Sequence, residues 1–163
     1  MLISHQWCRA AAAAAVVGML VCTRATTTAS ELQNRSDDVE RTIAAFLDPF
    51  ANRDVPGFID YFAEDATVFM PPSASGASPR RIQGKRAIAT EFEQLYQRLN
   101  LEPKTQGRRI VPVDLMAQRI GDVAIVTFHL GTESARGRRT LILVHTSAGW
   151  RIAHLHASDF TRG

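Results

Sequence analysis

The sequence predicts an α+β domain: three helices early in the chain packed on one face of a long, curved antiparallel sheet built late in it. Three observations carry this. Apolar residues recur at helical spacing in three segments up to about residue 99. From about residue 108 the chain falls into strand-like runs separated by tight-turn chemistry. No internal repeat and no linker divides it, so one layer of helices on one sheet is the architecture to expect.

The first helix is read from SDDVERTIAAFLDPFANRD. Asp37 followed by Glu40 fits a capping box, and Val39, Ile43, Phe46, Leu47 and Phe50 then form one stripe. Pro49 falls inside that stripe, where it removes a backbone hydrogen bond, so a kink or an early end is expected near Asp48. In DVPGFIDYFAED, Asp54 serves as N-cap, Pro56 sits in the first turn, and Phe58, Ile59 and Phe62 share a face, giving a short second helix. ATVFMPP reads as a strand stopped by two prolines, and SASGASPRRIQG as a polar loop. GKRAIATEFEQLYQRLN is the third helix, with Ile88, Phe92, Leu95, Tyr96 and Leu99 as its stripe. Four strands are expected at about 108–119, 122–133, 138–147 and 149–159, with IGDV and SAGW as tight turns. A sheet bent enough to enclose a cavity needs breaks, and Pro112 is one place for them.

The first 29 residues read as an address. One arginine precedes the small and apolar run AAAAAAVVGMLVC, and TRATTTAS follows, the three-part layout of a secretory signal. The apolar run falls short of the roughly 20 residues that span a bilayer. Cleavage after Ala25 or Ala29 fits the small-residue preference; the later site is favoured and leaves residues 30–163 as the domain, and an uncleaved anchor is the competing reading. A lipid on Cys22 is disfavoured by the bulk of Val21. The expected compartment is periplasmic or extracellular, with no stable membrane insertion after cleavage. Seventeen arginines against two lysines point to a GC-rich bacterial genome.

Removing the signal also removes Cys8 and Cys22, so no disulfide, thiolate site or cysteine nucleophile is expected. The formal charge falls from +3 to +1 as Arg9 and Arg24 leave. The clusters Arg80-Arg81, Lys85-Arg86, Arg108-Arg109 and Arg136/Arg138/Arg139 fall beside predicted turns or element ends, and no aromatic-interleaved basic stripe exists. They are read as solvated surface, and nucleic acid is not an expected partner.

Taken in order, AAFLDPFANRDVPGFIDYFAEDATVFMPP, RIQGKRAIATEF, GDVAIVTFHLG, RRTLILVHTSAGWRI and HLHAS resemble the SnoaL-like branch of the nuclear transport factor 2-like superfamily, closest to the SgcJ/EcaC group. The resemblance runs from about Val39 to Ser158. It implies a cone: a strongly bent antiparallel sheet wrapped around a cavity that helices close. It also implies no cofactor, and a homodimer formed through the outer sheet face. A small apolar ligand is the expected occupant, with Phe46, Phe50, Phe62, Phe69, Met70, Phe92, Tyr96, Phe128, Leu130, Leu141, Leu143 and Leu155 as candidate lining. An ordinary core would explain most of these side chains too.

Members of the superfamily include steroid isomerases, polyketide cyclases and dehydratases, which move protons beside a carbonyl and need a base and an oxyanion donor. The isomerase pattern laid on this chain puts the tyrosine donor at Phe46, the base at Met70 and the second acid near Ile142, none of which can do that work. The acid/base candidates that remain are His154, His156 and Asp114. If the last strand alternates regularly, Trp150, Ile152, His154, His156 and Ser158 share one face. The two histidines then read as structural or interfacial groups, as acid/base or ligand-binding groups, or as metal ligands; no third ligand is paired with them, and no metal is expected. The association domains of calmodulin-dependent kinases carry a similar His-x-His followed by a cavity-facing arginine. Here Ala157 stands in its place, so an anion held from that position is not expected. Three functions follow: a binding domain with an apolar pocket, a cofactor-free cyclase, isomerase or dehydratase, or a dimerisation module like those kinase domains.

Overall fold

The structure, a computed structural model, describes residues 29–71, 80–101, 109–131 and 135–161. The expected signal segment, its two cysteines and most of the SASGASPR loop lie outside the described residues.

Helix α1 spans Ala29–Ala51 and buries Val39, Ile43, Phe46 and Leu47, the stripe its spacing predicts. It starts well before Asp37, so the capping box is not its N-terminus: Asp37 lies inside the helix. Pro49 does not stop it either. Phe46, Leu47 and Ala51 are all buried, and their packing holds the last turn through the lost bond. Arg53, at φ 60, then turns the chain out of the helix. Helix α2 (Val55–Ile59) is capped as expected: the Asp54 carboxylate accepts the Gly57 N–H at 3.1 Å. A Cβ on Gly57 would stand 2.2 Å from that carboxylate, so the cap needs glycine there. Helix α3 (Lys85–Arg98) buries Ile88, Phe92 and Leu95, together with Glu91, whose carboxylate pairs with Arg80 and Arg98.

Among the described residues, six strands form one open sheet: β1 (Phe62–Phe69), β2 (Arg81–Gln83), β3 (Val113–Ile120), β4 (Val123–Gly131), β5 (Ala135–Thr146) and β6 (Gly149–Thr161), in the order β2-β1-β6-β5-β4-β3. β2 lies in the stretch read as loop, and β1 begins at Phe62 rather than Ala66. The sheet is also mixed rather than wholly antiparallel. β1 and β6 run parallel, Val68 opposite Leu155, because the chain reaches β6 only after a long excursion through α3 and the β3–β5 meander. Register breaks in β1, in β3 and between β5 and β6 bend the sheet. The core fills the space between the helices and one sheet face, where Val68, Val126, Leu141, Leu143 and Ile152 are fully buried.

Candidate functional site

The break between β5 and β6 decides which groups face inward. Ile142 pairs with His154, and Leu143 pairs with Ile152, so Ala153 is an extra residue on β6. Before it, Trp150 and Ile152 point into the core; after it, Leu155 and Ala157 do. The expected common face of Trp150, Ile152, His154 and His156 therefore does not exist. The bulge sends both histidines to the outer face of the sheet.

On the inner side, α1, α3 and the sheet enclose a cavity of about 100 Å³. Phe46 and Phe50, one helical turn apart, come from α1, and Phe92 with Leu95 from α3. Their rings pack together, Phe46 tilted against Phe50 at 5.4 Å and Phe50 edge-on to Phe92 at 5.9 Å between centroids. Phe128, Leu130, Leu141, Leu155 and Ala157 make the sheet side, and Met70 and Pro71 close the end beyond β1.

Among the described residues, one that lines the cavity is charged. Arg139 pairs with Phe128 on one side and Ala157 on the other, and so shares their inward face. Its Nη1 donates to the carbonyls of Arg138 at 2.8 Å and Ser158 at 3.3 Å, and lies 3.9 Å from the Asp159 carboxylate. A Cβ at Gly137 would meet that guanidinium at 2.5 Å, so the missing side chain of Gly137 is what makes room for it. Burial pulls the guanidinium below its ordinary pKa, and Asp159 opposes the shift. The reading of Arg139 as solvated surface is thus corrected. The signal was present in the sequence: Arg139, Leu141 and Leu143 alternate, and two buried leucines commit the third position to the same face.

Of the residues expected to line a pocket, Phe46, Phe50, Met70, Phe92, Phe128, Leu130, Leu141 and Leu155 come together on this cavity. Phe62 and Leu143 are core residues away from it. Tyr96 borders a separate cleft with Arg53 and Asn100, and burial raises its pKa to about 12 against the opposing charge of Arg53. Phe69 is on the outer face, its ring 6.0 Å from that of His154 and 5.9 Å from that of His156.

None of the acid/base candidates reaches the cavity. The Thr67 hydroxyl is 2.8 Å from His154 Nδ1. Desolvation first, then the neighbouring His156, hold the His154 pKa below its ordinary value. Asp114 sits at the β3 register break with φ 55, its side chain 81% exposed and 4.0 Å from His129 Nδ1. Leu115 and Ala117 turn inward from the same strand, so the break places Asp114 outside the cavity. Where the isomerase pattern needs a tyrosine and an aspartate, the cavity wall has Phe46 and Met70. Among the described residues no three His, Cys, Asp or Glu side chains converge as a metal site, and no helix is long and apolar enough to cross a membrane.

Comparison with known proteins agrees with this geometry. The sequence profile of the SnoaL-like domain matches residues 39–162. Among solved structures, the chain is similar to an NTF2-like protein of unknown function from Pseudomonas putida KT2440, at 19% identity and TM-score 0.61, covering 77% of this chain and 87% of that one. It is similar to a candidate dehydratase of the NTF2-like family from Streptomyces avermitilis, at 13% identity and TM-score 0.62, covering 80% and 99%. It is also similar to the S. rosetta CaMKII hub, at 18% identity and TM-score 0.56, covering 77% and 96%. No curated protein matches the chain.

Proposed function

The chain belongs to the SnoaL-like domain family, and on that premise we propose that it is an exported, periplasmic or secreted domain that holds a small, mainly apolar molecule in its helix-covered cavity. The observation that supports this is the composition of the cavity wall. Aromatic and aliphatic side chains from two helices and three strands converge on one space that the core leaves unfilled. The wall has no carboxylate or imidazole among the described residues, so binding is favoured over proton-transfer catalysis in the cavity.

The test is native mass spectrometry of the mature protein taken from the periplasm of a bacterial host. A bound small molecule is expected in the wild type and lost in Ala157→Phe, which adds a ring where Ala157 now lines the wall. A wild type that carries no adduct and takes up no neutral hydrocarbon probe overturns the reading. N-terminal sequencing of the same sample checks export, with the first residue expected at Ser30.

The outer sheet face supports pairing with a second copy. Alternation and register put Val113, Met116, Ile120 and Val123 on that face, 42%, 50%, 68% and 37% exposed. Apolar side chains gathered on one open face are what a partner surface supplies. Met116→Lys together with Ile120→Lys is expected to convert a dimer to a monomer in sedimentation velocity; an unchanged sedimentation coefficient removes this face from the interface.

A further inference from the structure

The Arg139 guanidinium is out of place in a site built for a purely hydrocarbon guest. Every other described residue on the cavity wall is apolar. Removing a guanidinium from water carries a desolvation cost that only charge partners and well-aimed acceptors repay. Its side chain is 17% exposed, and its protein partners repay that cost in part. Among the described residues, its hydrogen bonds all leave from Nη1 and end on backbone carbonyls. The facing Asp159 carboxylate is 3.9 Å away and 38% exposed, well beyond the roughly 2.7–2.9 Å of a charge-assisted hydrogen bond. A guanidinium carries five N–H donors in a planar fork, so capacity for a carboxylate remains.

Resting on the cavity reading above, we propose that the occupant is a small monocarboxylate, its carboxylate paired with Arg139 and its hydrocarbon part lying among Phe46, Phe50, Phe128 and Leu141. One buried cation, partly answered by Asp159, matches a single negative charge. A cavity of about 100 Å³ is smaller than the ~150 Å³ space that takes up benzene, so a short alkyl chain fits it best. The competing assignment is a latch, in which Arg139 serves only to tie β5 to the Asp159 end of β6.

The experiment is calorimetric titration of the mature chain with isobutyrate, isovalerate and valerate, each against its uncharged amide. Each acid is expected to bind about 10- to 100-fold more tightly than its amide, the range of a charge-assisted pair. Arg139→Met is expected to erase that difference while amide binding, which also reports an intact fold, persists. Asp159→Asn keeps the test decisive should Arg139→Met not fold: removing the competing carboxylate is expected to tighten acid binding and leave amide binding unchanged. Acid and amide bound equally, with Asp159→Asn affecting neither, establishes the latch and overturns the carboxylate proposal while the apolar cavity stands. If the wild type binds neither acid nor amide, nor a neutral hydrocarbon, the cavity reading fails and the proposal falls with it.

Discussion

On β6, Leu155 and Ala157 look toward the helices while His154 and His156 look away; on β5, Leu141 and Leu143 alternate in the same way with Ile142 and Val144. The two faces use the same strands and differ by one residue of phase. Yet the inner one is mainly hydrocarbon, with Arg139 at the cavity and, at its far end, Arg119 over the Trp150 ring beside His145, and the outer one mixes imidazole, hydroxyl and exposed aliphatic groups. His129, His154 and His156 are on the side away from the cavity. On the proposed reading, holding a molecule and meeting a partner fall to opposite faces, and the division can be tested residue by residue.

The largest contrast is expected between adjacent residues of β5. Leu143 is fully buried, so Leu143→Ala leaves a void and should cost about 2–5 kcal/mol. Ile142 is half-buried on the outer face, and Ile142→Ala should cost well under half as much. Urea unfolding of both variants measures the difference; equal losses would break the distinction between the faces.

A smaller effect is expected at Thr67→Val, which removes the hydroxyl partner of His154 on the outer face while keeping the side-chain shape. The loss should be about 0.5–1.5 kcal/mol, with ligand uptake in the cavity unchanged. A change in uptake would show that the faces communicate.

The smallest effect is one of pH. Because folding lowers the His154 pKa, the unfolded chain takes the proton more readily. Stability should therefore fall as pH drops through the ordinary histidine value of 6.5 toward the lower folded one, and recover above it. Comparing urea midpoints at about pH 7.5 and about pH 5.5, the drop should be shallower in His154→Gln than in the wild type. Identical drops in the two proteins would remove His154 from the pH response.

Much of the fold was legible because helix and strand periods are local. The Ile88–Phe92–Leu95 stripe, the Asp54 cap and the alternation through β4 and β5 could be read directly. The start of α1 could not, since a capping box is a four-residue pattern, while the helix-forming residues ahead of it let the helix begin earlier. An early end of α1 near Asp48 was overruled by the burial of Phe46, Leu47 and Ala51. The parallel pairing of β1 with β6 was hidden too, because strand direction depends on where the chain returns, which no local window contains.

By itself, then, the sequence determined the kinds of elements, their order and the apolar character of what they would enclose. Only the tertiary structure decided which face each side chain took at the breaks. Ala153 is one extra residue in a strand of period two, so it reverses every position after it without altering composition or local pattern. That single step put the histidines outside, and strand pairing across Arg139 put a cation within.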